Sequence, residues 1–420
     1  MVKKGFTLFI AFMMVFLLAA CNGEKTSSNN TTGGKDSNEL AQGVTKNEIM
    51  IGHSAPQTGP VAVYDTFRKG MDTYFQYINE NGGVNGRKIK LIAYDDQYQP
   101  TKASQNAKKL VEEDKVFAVI GNQGSAANLA AKDYYINKGI PVILPGTGLK
   151  GFVDPPVKNW MGATMMNYEV EAQIMLNYAV NELGAKKIAI AYQNDDFGKA
   201  PYNKIKEIIK TYPGVELVAE VTYLPADTEF SAQAQKLQQA KPDTIFNFGV
   251  MSPVVNLKKA MYKIGLDKTK YIVSSIAGGD THAFQLAGGD VWERTYSGGI
   301  LISLDDENNE KIKLFKERFK KSYPNEQATN FVESGWSAAQ VFVEALKRSG
   351  DNLTWDNFLK SFNTFDNWDG SMYAGVSFSE NNHYGITKMY MTKAENGKIV
   401  QISDSIEFEP ETGKISLPKK

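Results

Sequence analysis

The chain has one cysteine in 420 residues, Cys21, which excludes an intramolecular disulfide and any cysteine-based metal cluster. Its three histidines, His53, His282 and His383, are too scattered for metal-ligand spacing, so no metal site is expected. A surplus of charge is missing too: 47 basic and 47 acidic side chains give zero formal net charge. Nucleic acid as the main partner is thereby disfavoured, because phosphate binding needs a basic excess. No nucleotide fingerprint follows a strand, Gly82-Gly83 reading as a turn, and no cofactor is expected. After the first twenty residues no transmembrane candidate occurs.

What is present begins with Lys3 and Lys4, an apolar run Phe6 to Leu18, and the small residues Ala19 and Ala20 before Cys21. A basic start, a short apolar segment and small residues before a cut site read as an export signal over 1–20. The alternative is an N-terminal membrane anchor, for which the run is short. Leu18-Ala19-Ala20-Cys21 resembles the bacterial lipoprotein lipobox, in which the cysteine becomes the lipid-modified first residue of the mature protein. Acylation of Cys21, palmitate included, would hold the protein at a membrane face, since two or more chains anchor stably where one binds marginally. Asn22 to Asn38 is Ser, Asn, Thr, Gly and charged residues without apolar periodicity, so 21–46 reads as lipidated cysteine plus flexible tether.

From Glu48 the pattern alternates. Strands are expected at Ile49–Ile51, Lys88–Tyr94, Val116–Ile120 and Pro141–Leu144, with helices at Val61–Asn79, Thr101–Glu113 and Ala127–Asn137 between them. The order recurs with strands at Lys187–Tyr192, Val215–Tyr223, Thr244–Phe248 and Tyr271–Ser274, and helices at Lys199–Thr211, Ser231–Ala240 and Val254–Ile264. Steps of about 25 to 30 residues are the size of a βαβ unit, and alternation of this kind means a parallel sheet covered by helices. Two such runs, in a chain longer than one ordinary domain, predict two similar α/β lobes. Three further helices at 310–323, 333–348 and 352–362, and a hairpin over Asn396-Gly397, complete the lobes: 47–165 with 300–382, and 166–299 with 383–420.

In the first run, the strand ending at Ile120 leads into Gly121-Asn122-Gln123-Gly124-Ser125-Ala126-Ala127. A glycine-rich turn opening a helix aims backbone N–H groups and a hydroxyl at one point, which suits a small anion such as a carboxylate. Ser125 reads equally as a helix cap, a role serine plays in any protein.

The segments Ile51-Gly52-His53-Ser54-Ala55-Pro56-Gln57-Thr58-Gly59-Pro60, Gly82-Gly83-Val84-Asn85-Gly86-Arg87, Tyr94-Asp95-Asp96, the 119–127 loop, Pro145-Gly146-Thr147 and Asp195-Asp196-Phe197-Gly198 together resemble the branched-chain amino-acid class of ABC-transporter substrate-binding proteins. The resemblance covers the chain from residue 47 onward. It implies the type I periplasmic-binding fold, with two doubly wound lobes joined by a multiply crossed hinge. It also implies a ligand clamped between the lobes and delivered to a membrane permease. The position of Ser125, with the backbone near Gly146 and Thr147, would hold the ligand's carboxylate, and Phe197 would supply the second-lobe aromatic. Relatives that bind amino acids place a glutamate for the ammonium at about Ile276. Asp280 or Glu333 would have to substitute, or the ligand has no ammonium, because a desolvated ammonium without an anionic partner is costly. The candidate ligand-binding set is Ser125, Ala126, Gly146, Thr147, Tyr64, Phe197, Met251 and Ile276. The expected partners are a small molecule, ABC permease subunits and a membrane met through lipid, and a monomer is expected.

Two other functions compete. A ligand-sensing module for a signalling system would share this fold. An envelope serine hydrolase is suggested by Gly52-His53-Ser54-Ala55-Pro56, close to a G-x-S-x-G elbow but with proline where that elbow needs glycine. Asp95-Asp96 reads as a strand-end turn and Trp336 as a core residue on an apolar helix.

Overall fold

A computed structural model describes residues 40–416. The export signal, Cys21 and the tether up to Asn38 lie outside the described residues.

Short apolar runs flanked by amphipathic helices give the first sheet. Its strands are β1 (Glu48–Ala55), β2 (Lys88–Asp95), β3 (Ala118–Ile120), β4 (Val142–Ile143) and β5 (Trp160–Met161). They lie in the order β2-β1-β3-β4-β5, all parallel. The register pairs Ile49 with Ile89 and Ile51 with Leu91. β3 and β4 are buried at every residue, as strands covered on both faces must be. The crossovers are α1 (Asp65–Glu80), α2 (Pro100–Lys108) and α3 (Ser125–Lys138).

The chain then passes to a second sheet built the same way. α4 (Tyr168–Asn181) leads to β6 (Lys187–Gln193), α5 (Asp196–Ile208), β7 (Glu216–Tyr223), α6 (Ser231–Ala240), β8 (Thr244–Phe248) and α7 (Met251–Lys263). β9 (Lys270–Val273), the short α8 (Ser275–Gly278), α9 (His282–Ala287) and β10 (Thr295–Gly299) follow. The parallel part runs β7-β6-β8-β9-β10, the same winding as the first sheet. From 300 the chain returns to the first lobe with α10 (Glu310–Ser322), α11 (Asn330–Ser349), α12 (Trp355–Phe362) and the hairpin β11 (Ser377–Ser379) and β12 (Asn382–Gly385). It crosses once more to add β13 (Lys388–Glu395), β14 (Lys398–Gln401), β15 (Ile406–Glu409) and β16 (Lys414–Ser416) antiparallel to β10 and to one another.

The expected α/β architecture of two doubly wound lobes is the one formed. Differences are local. α3 begins at Ser125 rather than Ala127, and α7 at Met251 rather than Val254. The stretch 149–186, where the sequence reading has no element, holds β5 and α4. Eight of the fourteen residues of α4 are buried, so no single apolar stripe marks it. Its start is fixed by Asn167, whose side chain accepts the N–H groups of Glu169 and Val170.

The first lobe's helices are locked by backbone contact. α11 is buried on nearly all sides, and Trp336, as expected, is core. A Cβ on Gly70 of α1 would stand 1.9 Å from the Val332 carbonyl oxygen, and one on Gly335 of α11 would stand 1.9 Å from the Phe67 oxygen. Each glycine therefore admits the other helix's backbone. Gly335→Ala should lower stability by about 1–3 kcal/mol through overpacking, read as a fall in thermal midpoint; an unchanged midpoint would show that the helices can part at no cost.

Candidate functional site

In a sheet wound β2-β1-β3, the connections leaving β1 and β3 diverge to opposite sides and leave a crevice at the carboxyl ends of the strands. Both sheets have that winding, and their crevices face each other. The first lobe contributes the turn to Tyr64, the loop 121–124 with the start of α3, and Pro145–Gly148. The second contributes the start of α5, Val250 with Met251, and α8.

The loop after β3 is shaped by hydrogen bonds that leave its end open. Asn122 accepts the Ser54 N–H through Oδ1 at 2.8 Å and the Gly146 N–H through its carbonyl at 2.7 Å. Gly124 donates to the Gly146 oxygen at 3.1 Å. Gly124 is the residue before the helix, with φ of +98°, and a Cβ there would meet Tyr98 at 2.7 Å. Glycine alone suits both demands. It also brings no capping side chain, so the Ser125 and Ala126 N–H groups find no acceptor among the described residues. Ser125 is thus the first helical residue and not the cap, which corrects the capping alternative. Its hydroxyl, 1% exposed, lies 2.9 Å from Thr147 Oγ1 and 3.3 Å from the Tyr168 hydroxyl.

The opposite wall is aromatic and aliphatic. Phe197, on the first turn of α5, packs its ring 4.7 Å from that of Tyr168. Tyr64 spans the lobes: its hydroxyl accepts the Met251 N–H at 3.1 Å. Ser252 Oγ donates to the Pro60 oxygen at 3.2 Å beside it, and on another side Phe331 N–H donates to Asp280 at 2.7 Å. The cavity between these walls measures ≈ 20 Å³, room for a water or two.

Of the expected residues, Tyr64, Ser125, Gly146, Phe197 and Ile276 line this cavity. Thr147 and Met251 stand one bond behind it, on Ser125 and Tyr64 respectively. Ala126 is partly exposed and is not among the residues that line the cavity. The expected set lacks Tyr98, Gln123, Gly124, Met165, Tyr168 and Val250, which also line it. Of these only Gln123 and Gly124 sat in the loop already singled out.

No acid or base lines the cavity. Burial pushes the Tyr168 hydroxyl up to about 12 and those of Tyr64 and Tyr98 further, so all three stay neutral. Met165 and Ile276 separate this cavity from a second of ≈ 340 Å³, reached between the lobes. Asp280 borders the second cavity, with one oxygen accepting from Phe331 and the other from the His282 N–H at 2.8 Å. Glu333 is fully buried, borders neither cavity, and is held well above the usual carboxylate range by that burial. Neither acid faces Ile276 across the small cavity. Glu171 of α4 instead supports α8 from behind, accepting the Ser275 N–H at 2.6 Å.

Ser54 does not have a hydrolase's surroundings. Its hydroxyl donates to Asp96 at 2.9 Å and accepts from Asn106 at 3.1 Å. His383 bonds Val157 and Trp160 carbonyls, and His53 bonds that of Ile120. Asp95 gathers the Gln57 and Gln97 N–H groups at 2.9 Å, as a turn residue does.

Two facing α/β lobes with a small cavity at their strand ends define a solute-binding architecture. The chain belongs to the periplasmic binding protein family, whose model matches residues 48–398. An amino acid binding protein of Pseudomonas aeruginosa is 28% identical over 224 residues, 52% of this chain and 58% of that protein, so the match spans little more than half the relative's length. A Leu/Ile/Val-binding protein homolog of Brucella melitensis is 23% identical over 308 residues, 72% of this chain and 80% of the relative. Among solved structures, a branched-chain amino acid ABC transporter protein from Thermus thermophilus with bound valine superposes with a TM-score of 0.77 at 20% identity, covering 86% of this chain and 97% of that one. The resemblance read from the sequence and this likeness agree on the type I fold.

Burial raises the Glu171 carboxyl from 4.5 to about 7. A carboxyl raised on folding adds stability that is complete below its unfolded value and lost as pH rises through its folded one. Glu171→Gln should therefore flatten the fall of thermal midpoint between pH 4.5 and about 7; profiles of equal slope for the two proteins would assign that fall to other groups.

Proposed function

We propose that the protein is an extracytoplasmic solute-binding lipoprotein that captures a small ligand between its lobes and delivers it to the permease of an ABC importer. Ser125, Ala126, Gly146, Thr147, Tyr64, Phe197, Met251 and Ile276 form the binding set. The ligand is a branched-chain amino acid or a related small carboxylate or amide. The lobes, 47–165 with 300–382 and 166–299 with 383–420, close on it by a hinge, and Cys21 carries the acyl chains that keep the protein on the outer face of the cell membrane.

One observation carries the ligand class. Uncapped N–H groups at the start of α3 converge with the hydroxyls of Ser125, Thr147 and Tyr168 on one wall of a cavity without acids. Helix-start donors and neutral hydroxyls favour a carboxylate. The amino acids for which those relatives are named and the bound valine of the Thermus structure support the same reading.

A thermal-shift screen over amino acids, other small carboxylates and amides tests the reading. A ligand at about a hundred times its dissociation constant should add about 2.7 kcal/mol of stability. Ser125→Ala should weaken a carboxylate hit by about ten-fold or more, the worth of one hydrogen bond to a charged group. Hits that all lack a carboxylate, or unaltered binding by the variant, would overturn the carboxylate assignment. For the anchor, Cys21→Ala should move the protein from the membrane pellet to the soluble fraction; retention of the variant in the pellet would remove lipid as the anchor.

A further inference from the structure

The small cavity is too small for the ligand just proposed, and the larger one beside it is not. At ≈ 340 Å³ it falls in the range of ordinary ligand pockets, about 300–1,000 Å³. Only Met165 and Ile276 border both cavities. Met165 is unbranched and rotates readily among shapes, so it is the movable half of this partition. Beyond it the wall is mixed: Ile300, Leu301, Ile302, Leu304 and Ile399 form an aliphatic side with Phe331 at its edge, and hydroxyl, amide and charged side chains make up the rest. The charged groups bordering it already have partners. Asp280 takes two backbone N–H groups, and Lys398 pairs with Asp305 at 3.4 Å.

Resting on the carboxylate reading above, we propose that the ligand is an amphipathic monocarboxylate with a chain longer than a branched-chain amino-acid side chain. Its head sits at Ser125 and Thr147, and its aliphatic tail passes between Met165 and Ile276 into the larger cavity. This accounts for the isoleucine at 276. A chain leaving the head group crosses that residue, and an aliphatic surface there gains contact where a charged one would be stripped of water. It also accounts for the aliphatic side of the larger cavity, where the charged neighbours already have partners and the buried hydroxyls of Ser275 and Thr392 have none among the described residues. A free ammonium at the head would meet no carboxylate in the small cavity, and Asp280 and Asp305 at the larger one already have partners.

The test is calorimetric titration of the full mature chain with straight-chain monocarboxylates of about four to twelve carbons, with valine and leucine alongside. Affinity should rise about four-fold per added methylene until the space is filled. Ile302→Trp, which adds bulk to the larger cavity, should weaken the long members and leave the shortest unchanged, and Ile399→Trp should do the same from the β13–β14 hairpin if the first variant fails to fold. Ser125→Ala should weaken all members by a similar factor. Valine or short carboxylates binding with affinity that stays flat or falls along the series would overturn the tail assignment while leaving the carboxylate reading standing. Equal loss for short and long members in both tryptophan variants would also overturn it. Binding of no carboxylate of any length would overturn both.

Discussion

The start of α3 carries backbone donors that the protein itself leaves without an acceptor, and the surrounding architecture follows from keeping them so. A side-chain cap would satisfy them, and Gly124 cannot supply one. Its left-handed backbone also turns the chain out of β3 and lets the Tyr98 ring lie against the loop. The winding of the sheet opens the crevice into which those donors point. The second lobe then covers it with Phe197 and Ile276, so that the donors lie beside a small space with no charged side chain in its lining. Water would be their partner in an open cleft, and displacing it is what a bound ligand must do better than water does.

Closure is written in a few contacts between residues far apart in the chain. Tyr64 and Met251 are 187 residues apart, and the hydrogen bond between them is one of the seams of the cleft. Behind the cleft the chain passes between lobes at 162–167, 300–309 and 386–387. Within the first lobe the reciprocal glycines of α1 and α11 bring the helices to backbone contact, a packing that resists shear. Such packing holds the wall at Ser125 and the helices behind it together as one piece.

Much of this was legible from residues alone because it rests on local regularities. Alternating βα units gave two lobes, and α6 and β8 fall on the expected residues. Glycine-rich strand ends pointed to Ser125, Gly146 and Phe197. What escaped lacks a local signature. α4 is buried around most of its circumference, so no stripe announces it, and Tyr168 at its first position went unseen. Tyr98 takes a φ of +60°, which tyrosine seldom does and which no neighbouring residue foretells. Both side chains matter only where the other lobe meets them, and that meeting is a property of the folded pair of lobes.

A cavity wall made of neutral donors differs in kind from one made of lysine or arginine. Coulomb attraction between ions reaches many ångströms and is damped by dissolved salt, with a screening length of about 8 Å at physiological ionic strength. Hydrogen bonds from N–H and hydroxyl groups act only at contact, inside a space the mobile ions do not enter. With no charged side chain lining the cavity, dissolved salt has little charge to screen at this wall, and what the wall can distinguish is shape and the direction of hydrogen bonds at contact.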